Sequence, residues 1–169
     1  MNVKLMLIVL IAALLAGCSA KSKVVGQTGI LTESTGIYYT DPNDKQGRLV
    51  IVQENALVLI LDEDKDYYHV QLAVTELPVL AGNVEKKAVS FDEADMKNAS
   101  SGLVKDINVY DAPEQNAAIK YSGYSAAVLI DGEEGDYYKC ALPGGDSGYI
   151  KKNDMQFIVE KAEWTVEMK

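Results

Sequence analysis

Apolar residues along this chain come in short runs that are β-branched, aromatic or leucine-rich, separated by clusters of Asn, Asp, Gly and Lys. Val50 to Val52, Leu57 to Leu61 and Tyr68 to Leu72 are runs of this kind, and the pattern predicts strands. In Tyr68-His69-Val70-Gln71-Leu72 the alternation sends Tyr68, Val70 and Leu72 to one face and His69 and Gln71 to the other. The polar clusters at 62–66 and 131–136 predict hairpin turns, the second with the glycines that a tight reversal favours. One stretch predicts a helix. Ser90-Phe91-Asp92-Glu93 has the spacing of a capping box, and Ala94 to Asn98 follow it. The expected class is all-β, with a short helical linker.

The strand pattern occurs twice. Asp66-Tyr67-Tyr68-His69-Val70-Gln71-Leu72 returns as Asp136-Tyr137-Tyr138-Lys139-Cys140-Ala141-Leu142. Upstream, Tyr39-Thr40-Asp41-Pro42 answers Tyr110-Asp111-Ala112-Pro113; downstream, Gly82-Asn83-Val84-Glu85-Lys86 answers Gly148-Tyr149-Ile150-Lys151-Lys152. Matching features in one order imply a duplicated unit of about sixty residues, the size of a small domain. Two such units are each marginal alone, so they are expected to lean on each other or on their flanks. After the second unit, Trp164, Val166 and Met168 alternate with Thr165 and Glu167. This tail is expected to add a strand or to clamp the only Trp against a domain.

The N-terminus changes the picture of where the chain works. Lys4, the apolar run Leu5 to Ala16 and the sequence Leu15-Ala16-Gly17-Cys18 read as a targeting signal, too short to span a bilayer. They resemble the bacterial lipoprotein signal, in which the cysteine is lipidated and becomes the first mature residue, a role that falls on Cys18. Acyl chains at about 0.8 kcal/mol per buried methylene would hold the chain on a membrane. Cys140 then has no partner for a disulfide, and as the counterpart of Val70 it is expected to be a buried, inert hydrophobe. The formal charge is −9 and Arg48 is the only arginine, which leaves no basic cluster for nucleic acid and argues against electrostatic adhesion to anionic wall polymers.

Ile107-Asn108-Val109-Tyr110-Asp111-Ala112-Pro113 resembles the opening signature of bacterial SH3-like (SH3b) domains. The later marks follow in order: an apolar strand, an acidic turn, the strand Tyr137 to Leu142, and Gly148-Tyr149-Ile150. The first unit matches more loosely, through residues 31–42. The resemblance implies two tandem SH3-like β-barrels, in residues 28–91 and 102–159. Around them would lie a signal peptide in 1–17, a tether in 18–27, a linker in 92–101 and a terminal strand or tail in 160–169. Tyr39 and Tyr110 stand where the family often has arginine, and Tyr67, Tyr137, Asn83 and Tyr149 where it often has tryptophan, so any inherited groove has been relined.

Little here suggests catalysis. The one histidine, His69, is expected on an outer strand face and the only unlipidated cysteine, Cys140, in a core, so no Cys-His pair is expected. Calcium loops counted from Asp41 or Asp62 lack the required Gly and Glu. No catalytic residue, metal or cofactor is assigned. Tyrosine is the outlier, ten residues against two Phe and one Trp. Its rigid ring and polar tip suit recognition of peptides or sugars, and Tyr39, Tyr67, Tyr110, Tyr137 and Tyr149 are the expected recognition surface. The implied role is a non-enzymatic lipoprotein on the cell membrane or outer membrane that binds peptidoglycan or its peptide stems. An adaptor or inhibitor that docks an envelope protein is the alternative. The anchor is directly testable: labelled palmitate should enter the chain in cells and should not enter Cys18→Ala.

Overall fold

Twelve strands and almost no helix make up the computed structural model, which describes residues 22–38, 48–73, 79–163 and 165–166. The first seven strands are β1 (Thr28–Leu31), β2 (Thr35–Tyr38), β3 (Arg48–Val52), β4 (Leu57–Glu63), β5 (Tyr67–Leu72), β6 (Val79–Glu85) and β7 (Val89–Ser90). They form a sheet in the order β3-β2-β6-β5-β4-β1-β7. A single helical turn, Glu93–Met96, leads to β8 (Ser101–Tyr110), β9 (Ile119–Glu134), β10 (Tyr137–Leu142) and β11 (Asp146–Lys151), which close as a four-stranded barrel. All of these strands pair antiparallel; β12 (Thr165–Val166) alone pairs parallel, with β6. The fold is all-β, as the strand pattern predicts. Cys18, Tyr39 and Trp164 lie outside the described residues.

The pairing register repeats from one unit to the other. Tyr67 faces Glu85 and Val70 faces Gly82 across β5 and β6, as Tyr137 faces Lys151 and Cys140 faces Gly148 across β10 and β11. The same bulge recurs: Val70 pairs with Ile60 and His69 with Asp62, skipping Leu61, while Cys140 pairs with Ile130 and Lys139 with Gly132, skipping Asp131. Strand β8 does in one piece what β1 and β2 do in two, and β9 does the same for β3 and β4. Each closing strand ends in a 3₁₀ turn, Lys86–Ala88 or Lys152–Asp154.

This register corrects one sequence assignment. Tyr38 pairs with Asn83 as Tyr110 pairs with Tyr149, so the counterpart of Tyr110 is Tyr38 and not Tyr39. The strand-to-strand loop is one residue longer in the first unit, since Tyr38 pairs with Arg48 but Tyr110 with Ile119. Matching the loop prolines therefore slips the strands by one.

Each unit has its own core. Leu31, Ile37, Val58, Ile60, Val70, Leu72 and Val84 fill the first; Val104, Val109, Val128, Cys140, Leu142 and Ile150 fill the second. Tyr68 meets Phe91 edge-on at 5.9 Å between ring centroids, and Tyr138 meets Phe157 at 6.1 Å. Over each tyrosine sits a lysine, Lys86 at 4.9 Å and Lys152 at 5.3 Å, each also paired with a β-strand glutamate, Glu63 or Glu133. Half-exposed ion pairs of this kind add little by themselves. Their effect here is to hold the lysine over the ring.

The linker turn is capped by Asp92, whose side chain accepts from the Ala94 N–H at 2.9 Å. The capping box expected at Ser90 is displaced by two residues, because Ser90 belongs to β7 and its hydroxyl accepts from the Asp92 N–H instead. From residue 155 the chain leaves the second barrel and runs back along the first. Phe157 and Val159 pack on a third apolar cluster of Ile30, Leu57 and Ala99, drawn from both sides of the junction. The Val159 N–H donates to Thr28 Oγ1. Gln71 is 2 % exposed, its amide donating to the Glu160 carbonyl at 2.8 Å and accepting from the Ala162 N–H at 2.9 Å. The outward-facing Gln71 of the alternation is thus covered by the tail, whose last described residues add β12 to β6. Gln71→Ala should lower unfolding stability by about 1–3 kcal/mol, because two backbone groups lose their partner in a covered site. Denaturant melts would measure the loss, and hydrogen exchange should locate it at the Ala162 amide.

Candidate functional site

The outer face of the second barrel gathers most of the candidate residues. Residues directly opposite one another on paired strands share a face, and two rows follow from the register. Tyr110 on β8, Tyr149 on β11 and Lys139 on β10 make one row; Lys151, Tyr137 and Glu134 make the next. Tyr110 and Tyr137 meet edge-on, 5.8 Å between centroids and 84° between planes. Lys151 Nζ lies 5.4 Å from the centre of the Tyr110 ring. The Tyr149 hydroxyl donates to Glu134 Oε1 at 3.1 Å, and this bond to a carboxylate pushes the phenol pKa up. Lys139 and Lys151 are exposed and make no ion pair among the described residues.

The four described tyrosines of the five predicted do not form one exposed surface. Tyr110 and Tyr149 are half-buried and adjacent. Tyr137 is 7 % exposed and stands in the next row against Tyr110, its hydroxyl donating to the Glu114 carbonyl at 3.2 Å. Its neighbour Tyr138 is equally buried, on the inward side in the core. The alternation itself holds; the 111–118 loop covers the outer face at Tyr137. Tyr67 is the half-buried counterpart of Tyr137 in the first unit, and belongs to a separate face.

That first face has the same layout with different chemistry. Its rows are Arg48, Tyr38, Asn83, His69 and Asp62, then Glu85, Tyr67 and Asp64. His69 Nδ1 lies 3.0 Å from Asn83 Oδ1, and Glu85 pairs with Lys87 at 2.7 Å. A shallow open depression lined by Lys65, Asp66, Tyr67, Glu85, Lys86 and Lys87 adjoins it. Between the units a cleft of about 120 Å³ is lined by Gln71, Ser101, Leu103, Ala127, Ile158 and Glu160 among others.

Sequence reasoning passed over Lys139 and Lys151, which read as ordinary strand charges until the register sets them beside tyrosines. It also passed over a second tyrosine pair, Tyr121 and Tyr124, tilted 33° at 5.8 Å. Their x-x spacing across a bulged strand is a weak signal. Lys120 and the Tyr121 hydroxyl both bond Asp146 there, and with the Ser147 N–H they hold its carboxyl down to about 2. His69 and Cys140 lie in different units, and burial pushes the Cys140 thiol up to about 12, helped by the charge of Asp131. The described residues bring no three His, Cys, Asp or Glu side chains together in a metal-holding group.

No protein-family model matches the chain, and no curated protein matches its sequence. Among solved structures, it is similar to an NlpC/P60 family protein from Bacillus cereus ATCC 10987, with 12 % identity and a TM-score of 0.37. The likeness covers 76 % of this chain and 55 % of that one. At that score it decides neither fold nor function.

Two outcomes check the site geometry. Tyr137→Ala should cost about 2–4 kcal/mol of stability, as large buried aromatics do, whereas Tyr149→Ala at the surface should cost about 1 kcal/mol. Cys140 should stay unmodified by a thiol reagent in the native protein and react on unfolding.

Proposed function

We propose that this chain is a membrane-anchored lipoprotein whose tandem SH3-like units bind a component of the cell envelope without covalent chemistry, peptidoglycan or its peptide stems first. The observation that supports the reading is the adjacency of Tyr110 and Tyr149 on a barrel face, with the buried Tyr137 packed edge-on against Tyr110. Half-buried aromatic side chains lose little conformational freedom on binding and offer both an apolar face and a hydroxyl. The lipoprotein-like signal ending at Cys18 supports placement at a membrane surface outside the cytoplasm.

Docking of an envelope protein is the second reading, and the charge of −9 favours it, since an acidic chain is repelled by anionic wall polymers. Co-sedimentation of the full chain with purified peptidoglycan separates the two. Under the first reading the protein pellets, and Tyr110→Ala or Tyr149→Ala leaves at least about tenfold more of it in the supernatant, the effect of losing roughly 1.4 kcal/mol. If the native chain stays soluble at physiological salt, wall binding is removed and protein docking takes its place.

A further inference from the structure

The two units repeat each other's register so closely that their outer faces can be compared position by position. Inward positions keep their character: Tyr68 and Tyr138, Val70 and Cys140, Val84 and Ile150, Phe91 and Phe157. The outer positions change chemistry. His69 of the first face stands where Lys139 stands in the second, Glu85 where Lys151 stands, Asp62 where Gly132 stands, and Asn83 where Tyr149 stands. The remaining acid is common to both, Asp64 in the first face and Glu134 in the second. The first face carries three carboxylates in its rows, of which Glu85 is paired with Lys87, and Arg48 stands opposite Tyr38 in the register, while the second carries two lysines and one carboxylate. The Glu134 carboxylate is occupied by the Tyr149 hydroxyl, and neither lysine is neutralised by an ion pair among the described residues. In a chain of charge −9 this is a local cationic spot, built around the aromatic pair.

We infer that the Tyr110, Tyr149, Lys139 and Lys151 face of the second unit binds peptides that carry free carboxylates, and that the matching face of the first unit does not. This rests on the envelope-binding reading and names its ligand chemistry. Lys139 stands beside Tyr149, and Lys151 over the ring of Tyr110, so a short peptide lying across the two rings would meet an ammonium at either end. Ammonium-to-carboxylate hydrogen bonds are the stronger kind, and a half-screened aromatic surface raises their effect over one in open water. On the first face Glu85 is already paired with Lys87 and Asn83 stands in place of the second tyrosine, while Asp62 and Asp64 would meet the same peptide with like charge, which disfavours the wrong site as the lysines favour the right one.

The test uses the full chain and two probes: acetyl-Ala-Glu-Ala with free carboxylates, and acetyl-Ala-Gln-Ala amide, the same shape without charge. Titration followed by nuclear magnetic resonance should show the acid binding at least about tenfold tighter than the amide, with the difference shrinking as salt is raised. Lys139→Gln and Lys151→Gln should each weaken the acid roughly three- to tenfold. Lys65→Gln beside the first face should change nothing. Both lysines are exposed, so the variants should melt like the native chain, which keeps a binding loss from being a folding loss. Equal binding of acid and amide, or an unchanged affinity in both lysine variants, overturns the inference. Its failure is distinct from failure of the envelope reading. Pelleting with peptidoglycan that ignores both lysines sinks the carboxylate site alone, whereas lysine-dependent peptide binding without pelleting sinks wall binding alone.

Discussion

Each unit depends on one close crossing. At Gly29 the chain returning from the 3₁₀ turn passes directly over β1, and a Cβ there would stand 2.5 Å from Val89 Cγ1 and 3.2 Å from the Ser90 carbonyl. Gly102 occupies the same place in the second unit, beneath Met155 and the Gln156 carbonyl. Backbone can approach backbone only where no side chain intervenes. The crossing permits the pairings Ile30 with Ser90 and Leu103 with Gln156 that bring the chain back across the end of each sheet. Those crossings cover the ends of the apolar interior, and the residues between them are left to face outward.

Units of about sixty residues bury too little surface to be robust alone. This chain meets the difficulty with its last described segment, which belongs in sequence to the second unit and in packing to both. Phe157 serves as the second unit's edge-on partner for Tyr138 and also touches the junction cluster of Ile30, Leu57 and Ala99. Two further ties cross the junction: the Ser100 N–H donates to the Asn55 carbonyl, and Lys105 pairs with Glu160. Gln71 shows why an outward position can hold an uncharged amide. It reads as surface in the strand pattern and becomes a bracket for the returning backbone. The counterpart position in the second unit is Ala141, against which no such segment lies among the described residues.

What was legible in the sequence was what depends on local pattern. Alternation in Tyr68 to Leu72 assigns the faces of β5 correctly, and the repeated Asp-Tyr-Tyr stretch marks two units whose registers agree. Cys140 follows Val70 into a core. What was not legible depends on chain crossings and on loop length. Tyr137 looks exposed until the 111–118 loop is laid over it, and Tyr39 looks like the partner of Tyr110 until one extra loop residue is counted. The capping box at Ser90 was a true local signal overruled by a strand pairing. Lys139 and Lys151 carry no signal in the sequence at all, because their meaning comes from standing next to tyrosines on other strands.

The duplicated register makes the two faces an internal control for each other: same backbone, same buried support, different chemistry. The central claim is that recognition belongs to the second face alone. Residue-by-residue chemical-shift mapping of the full chain, titrated with soluble fragments released from peptidoglycan, tests it most directly. The account predicts shifts at Tyr110, Lys139, Tyr149 and Lys151 that saturate together, with Tyr38, His69 and Asn83 silent. Shifts confined to the first face or to the cleft around Gln71, or none anywhere, would contradict it.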